Sequence, residues 1–347
     1  MKSILINIKK TKFFYLFLRY FFIPIYNFIW EYVINFIGKL YYYYYQIINS
    51  KNKNKIKIKV PKVIQKDTDI VQIANYLKKY ILDNELEKKY IKIIKSDEYK
   101  NKKMVYNLAS AQEPYKYNFF YEIDNNIKQK ILEFATSQKI LDIACDYLKV
   151  FPIISDISLY INIPTKMNME RANMLWHKDE YGFKSLDIFI AITDVDESNG
   201  PLYALSKSDN IDVFKKFESH LAVDDKMTGN RGKIENKNFF NSFNKSDLEK
   251  LTGSSGTAMI FDSFRSYHKG GFCLEKNRIM LRLVFTTPDS IRPHNKNVLK
   301  ELGLINNPSF LTKQLFKHDF IFFKIIRLQK ILNYLYKLIS IPIKNER

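Results

Sequence analysis

ISDISLYINI, residues 154–163, is where the periodicity of this chain changes. Upstream of it, apolar residues recur at helical spacing. From it onward they come in short runs rich in Ile, Val, Phe and Thr. LDIFIAITDV (186–195), TAMIFDSF (257–264) and RIMLRLVFTT (278–287) are runs of the same kind. Turn signals separate them: Asn199-Gly200-Pro201, Gly253-Ser254-Ser255-Gly256 and Gly270-Gly271. Short strands without intervening helices predict a sandwich or a double-sheet jelly roll. The expected fold is mainly β with flanking helices, its jelly-roll core over 151–290.

Working outward from that core, residues 61–150 read as a helical part. Asp69–Lys95 and Asn125–Leu148 carry the helical spacing, the second including IKQKILEFA and ILDIACDYL. They are expected to form a layer against the sheet. Residues 206–250 are polar, and an insertion of that length in a compact domain is usually a lid or substrate loop. SKNKNKIKIKV (50–60) reads as a solvated linker ending at Pro61. Residues 291–347 form a basic tail, with a basic apolar helix or pair of helices over 310–343.

The chain has 347 residues, enough for one large domain with additions or for two ordinary ones. Its two cysteines, Cys145 and Cys273, match no zinc spacing and suggest a reducing, cytoplasmic setting. The net charge of +20 invites a nucleic-acid reading, but its distribution argues against one. Residues 1–60 carry a net +10 and residues 311–347 a net +6, leaving only +4 on the stretch between. Both ends are also rich in Phe, Tyr and Ile, the composition of segments that lie on an anionic membrane. A general drift of the chain toward Lys, Asn, Ile and Tyr is the bland alternative. Tyr20–Gly38 contains one charge, Glu31, and is about the minimum length to span a bilayer, yet Pro24, Asn27, Glu31 and Asn35 weaken a spanning helix. No small-residue cleavage site follows it, which argues against a removable signal peptide. Lying in the interface, spanning, and packing on the protein's own core all remain open for it. The Tyr41–Tyr45 run suits a headgroup region.

His177 and Asp179 sit two apart in LWHKDEYG, so in an extended segment both point to one side. Alone this pair is a weak signal, because a structural histidine with a nearby Asp is common. His268, in FDSFRSYHKGG between two β-type runs, changes the balance. Two imidazoles and one carboxylate make the facial triad of non-haem Fe(II) oxygenases, leaving the opposite face of the metal for a 2-oxo acid and O2. Arg278 follows His268 by ten residues, and its planar fork suits the distal carboxylate of 2-oxoglutarate. Arg282, four further on, shares its strand face and is a candidate second donor. Trp176, Tyr181, Asp262, Arg265 and Tyr267 flank these positions; sheet packing is the ordinary reading of them, with Asp262 and Arg265 as candidate orienters. His220, His294 and His318 read as solvent-exposed.

Between about Ile153 and Pro288 the chain resembles the phytanoyl-CoA dioxygenase family of iron/2-oxoglutarate oxygenases. The similar features come in order: LYINIP, MLWHKD, LDIFIAITDVDESNGP, GTAMIFDSFRSYHKGG and RIMLRLVFTTP. The resemblance implies a double-stranded β-helix, iron at His177, Asp179 and His268, and 2-oxoglutarate at Arg278. It departs in ALSKSDN, where Asp209 stands in the place of a histidine that is not a metal ligand. Related halogenating enzymes lack the carboxylate ligand, so Asp179 favours hydroxylation. The reaction expected is oxidation of an organic substrate by O2, with 2-oxoglutarate as co-substrate. Membrane-directed ends favour a lipid or surface-glycan precursor; a soluble acyl-CoA or small metabolite is the enzyme alternative. A degenerate jelly roll serving as a membrane-associated binding module is the non-enzyme alternative.

Overall fold

A computed structural model describes residues 36, 38–49, 59–99, 115–164, 174, 176–179, 184–205, 247–288 and 301–316. Tyr181, Asp209, His220, His294, His318, nearly all of Tyr20–Gly38 and most of the 50–60 linker lie outside them. So do residues 206–246 of the insertion and the chain beyond Phe316.

Two antiparallel sheets and several helices make up the described chain. The strands are β1 (Lys62–Ile64), β2 (Lys116–Asn118), β3 (Ile153–Asn162), β4 (Ser185–Ala191), β5 (Leu202–Leu205), β6 (Leu248–Leu251), β7 (Ala258–Phe261), β8 (His268–Gly270) and β9 (Arg278–Thr286). Six of them form one sheet in the order β1-β7-β4-β9-β3-β2, and three form a second in the order β6-β5-β8. The alternation within each strand assigns its two faces. Leu159 and Ile161 of β3, Leu186, Ile188 and Ile190 of β4, and Ile279, Leu281, Leu283 and Phe285 of β9 join the helices in one core. Tyr160, Phe189, Met259, Phe261 and Met280 point the other way and meet Leu202, Ala204 and Leu251 of the small sheet. Both faces of the large sheet are therefore covered. A register shift between Ile154 and Asp156 absorbs the extra residue in ISDI, where the apolar alternation slips.

The helices are α1 (Thr68–Asp83), α2 (Leu86–Lys95), α3 (Asn125–Ala135), α4 (Gln138–Leu148) and α5 (Phe310–Phe316). Each of the two helical stretches read from the sequence is thus a pair. The first breaks where Asn84 caps α1 through backbone bonds to Leu82 and Tyr80 and Glu85 takes a left-handed φ of 49°. The second breaks at Thr136, whose hydroxyl bonds back to the Leu132 carbonyl, and Ser137 starts α4. At the start of α1, Asp67 accepts from the backbone N–H groups of Asp69 and Ile70 and pairs with Lys139 of α4 at 2.7 Å. Two edge strands, β1 and β2, come from the part that sequence periodicity assigns to helices; at three residues each they are too short to show alternation.

Candidate metal centre

The site lies between the sheets, and backbone pairing builds it. His177 and His268 exchange N–H···O bonds at 3.0 Å in both directions, which makes the 176–177 segment an extension of the small sheet beside β8. Two residues on, the Asp179 N–H donates to the Ser263 carbonyl at 2.8 Å. His177, Asp179 and His268 consequently place one ligand atom each within 4.8 Å of one another. Asp179 lies 3.7 Å from His177 Nε2 through Oδ1 and 3.9 Å from His268 Nε2 through Oδ2. Both histidines are buried, at 6% and 4% exposure. The ring nitrogen His268 Nδ1 is 3.1 Å from the Ser266 carbonyl. A carbonyl only accepts, so Nδ1 carries the proton and Nε2 keeps its lone pair toward the cluster.

The turn between β7 and β8 is held by Asp262, which is fully buried. Its carboxylate accepts from the Tyr147 hydroxyl at 2.7 Å, from Ser185 Oγ at 3.2 Å and from the backbone N–H groups of Phe264 and Arg265. Burial pushes the Asp262 carboxyl up, against the pull of these donors. This turn supplies both the Ser263 carbonyl that holds Asp179 and the Ser266 carbonyl that holds His268. Asp262 is thus an anchor of the turn, and Arg265 sits 3.9 Å from it at the surface side.

The two arginines of β9 differ in their partners. Arg282 donates to Asp187 through Nε at 2.8 Å and Nη2 at 2.5 Å, and its Nη2 also reaches Asp179 Oδ2 at 2.8 Å. Burial raises the Asp187 carboxyl to about 6 despite the Arg282 charge. Arg278 is 5% exposed, and its Nε and Nη1 find no hydrogen-bond partner among the described residues. Asn162, opposite Arg278 in the β3–β9 register, has an equally unpartnered buried Oδ1. His177, Asp179, His268, Arg278, Arg282 and Asn162 line one cavity of about 220 Å³, together with Lys116, Tyr160, Met174 and Phe189 and with Gly270 and Gly271.

Gly271 and Gly200 sit where backbones nearly touch. A Cβ on Gly271 would lie 2.4 Å from the Gly200 carbonyl carbon and the Pro201 oxygen, and Gly200 has a φ of +71°.

All five candidate ligating and clamping residues line this cavity. Trp176 and Tyr267 are buried near it without lining it, as ordinary packing predicts. Sequence reasoning missed Asp187, although a lone acid inside LDIFIAI is a visible signal. It also missed Tyr147, Asn162 and the two carbonyls of the turn, which no sequence pattern marks.

No family model matches the chain, and no curated protein matches it. Solved structures do. EvdO2 from Micromonospora carbonacea var. aurantiaca, complexed with 2-oxoglutarate, matches at 16% identity and a TM-score of 0.31, covering 50% of this chain and 66% of that one. The epimerase SnoN, in complex with Fe3+, alpha ketoglutarate and nogalamycin RO, matches at 16% identity and a TM-score of 0.29, covering 49% and 62%. EctD from S. alaskensis, with 2-oxoglutarate and 5-hydroxyectoine, matches at 14% identity and a TM-score of 0.39, covering 66% and 72%. The chain thus spans just under two thirds of EvdO2.

Proposed function

We propose that this protein is an Fe(II)- and 2-oxoglutarate-dependent oxygenase built on a jelly roll, of the phytanoyl-CoA dioxygenase type, hydroxylating an organic substrate. The observation that carries the reading is Arg278. A guanidinium buried without partners for Nε and Nη1 is costly, by about 1–3 kcal/mol per unmet group. It persists where a ligand completes it, and it shares a cavity with two histidines and a carboxylate.

The donor set suits a divalent iron. It offers two neutral imidazole nitrogens and one carboxylate oxygen. The 3.7 and 3.9 Å separations are under the ~4.2 Å that two ligands at ~2.1 Å can span across one ion. His177, Asp179 and His268 would hold the iron, which when bound supplies the O2 chemistry. The rest falls to the chain. Arg278 binds the distal carboxylate of 2-oxoglutarate through its planar fork, with Asn162 beside it. Arg282, expected from the sequence as a second donor to 2-oxoglutarate, is engaged by Asp187 and Asp179 instead. Its Nη2 donates to Asp179 Oδ2 and so helps to fix the carboxylate that would hold the iron. Met174, Phe189 and Met280 form an apolar side of the cavity that limits water. The basic, apolar ends support a lipid or surface-glycan precursor as substrate and a peripheral, cytoplasmic-face location.

Aerobic incubation of the full chain with Fe(II) and 2-oxoglutarate labelled at C1 tests the class. Labelled CO2 should be released, and released faster when lipid or glycan extracts contain the substrate. No release above an iron-free control, with any extract, would sink the reading.

A further inference from the structure

One helix of the described chain is apolar on both sides. Residues 36–48 are helical wherever they are described, and Lys39 is the only charge between 36 and 49. One side is docked. Tyr45 is buried, donates to Asp142 of α4 at 2.7 Å and stacks obliquely on Phe151 at 5.7 Å. The Gly38 carbonyl accepts from the Phe151 N–H at 2.9 Å, and a Cβ at Gly38 would lie 3.0 Å from Pro288. The other side is open: Phe36, Leu40, Tyr43, Tyr44, Ile47 and Ile48 are 48–70% exposed. Their spacing of three and four residues makes one continuous stripe. Phe310, at 55% exposure, packs edge-on against Tyr41 at 5.7 Å and widens it. Contiguous apolar patches of this kind mark contact surfaces.

We infer that this stripe is the face the protein lays on an anionic lipid surface. Charge and chain path select that partner. The helix belongs to the +10 stretch of 1–60, with five lysines following between 51 and 59. α5 opens the +6 stretch of 311–347 at the same patch, through Phe310. In the sequence, the stripe is thus followed directly by the cationic 51–59 stretch, and Phe310, which touches it, directly precedes the other cationic stretch. An apolar stripe gains from the acyl boundary, and each nearby Lys or Arg adds about 1 kcal/mol at an anionic headgroup layer. Among the described residues no helix is long and apolar enough to cross a membrane. The inference does not depend on iron or on turnover.

Co-sedimentation of the full chain with phosphatidylcholine vesicles, with and without phosphatidylglycerol, tests it. Binding should need the anionic lipid and fall at least tenfold at 1 M salt, where screening shortens to about 3 Å. A Leu40→Glu/Ile47→Glu double variant, altered only at exposed positions, should lose at least tenfold in binding while keeping the wild-type melting temperature. Phe310→Glu gives a second, independent weakening. Equal binding to both vesicle types, or a double variant that binds like wild type, overturns the assignment. So does a double variant whose only change is the loss of a dimer, which would give the stripe to a second copy of the chain.

Discussion

At the scale of single residues, the account rests on two arginines four apart on one strand face with opposite fates. Arg282 is engaged by Asp187 and Asp179, and Arg278 has no partner for Nε and Nη1 among the described residues. Arg278→Lys keeps the charge and loses the fork, at a cost of roughly 1.5–3 kcal/mol. The concentration of 2-oxoglutarate needed for half-maximal turnover should rise about 10- to 150-fold, with the iron requirement little changed. Saturation curves for the two additives check this, and an unchanged 2-oxoglutarate curve would move the clamp elsewhere. His177→Ala, Asp179→Ala and His268→Ala should each abolish stoichiometric iron binding, with the far-ultraviolet spectrum preserved. A wild-type affinity in any one removes that residue from the centre. That His177, Asp179, His268 and Arg278 share one cavity was legible because their types and spacing suit one site. Asp187 and Tyr147 were not, because a buried carboxylate partner and a distant hydroxyl anchor are properties of packing.

At the scale of elements, the β7–β8 turn holds two of the three proposed ligands through backbone carbonyls, so its anchors matter more than its sequence suggests. Tyr147→Phe removes the 2.7 Å bond to Asp262 and should lower stability by about 1–3 kcal/mol in denaturant titration. Iron affinity should weaken with it; a variant as stable and as tightly iron-binding as wild type would deny the anchor. Gly271→Ala forces a methyl against the Gly200–Pro201 backbone and should cost at least about 1–3 kcal/mol. At the start of α1, Asp67→Ala should cost about 0.5–2 kcal/mol through the lost cap. The long strands and the Asn-Gly-Pro turn were readable because alternation and turn chemistry are local. The breaks at Asn84–Glu85 and Thr136–Ser137 were not, since helical periodicity runs through both and only capping bonds reveal the stop. The three-residue strands β1 and β2 take their conformation from the sheet edges they complete.

At the scale of the whole molecule, a helix layer, a six-stranded sheet and a three-stranded sheet leave a mixed polar cavity between the sheets. The strand content followed from the order of the β-type runs along the chain. The pairing of a helix near the N-terminus with α5 did not, because residues 269 positions apart share no sequence pattern. The central claim is that one cavity binds iron through His177, Asp179 and His268 and 2-oxoglutarate through Arg278. Anaerobic titration of the full chain with Fe(II) and 2-oxoglutarate, followed by visible absorption, tests it most directly. A 2-oxo acid chelated to Fe(II) gives a charge-transfer band that neither component gives alone. The account predicts that band at one equivalent of iron, absent in His268→Ala and shifted to higher 2-oxoglutarate in Arg278→Lys. A chain that binds one Fe(II) yet shows no band at saturating 2-oxoglutarate, or an equal band in all three proteins, would contradict it.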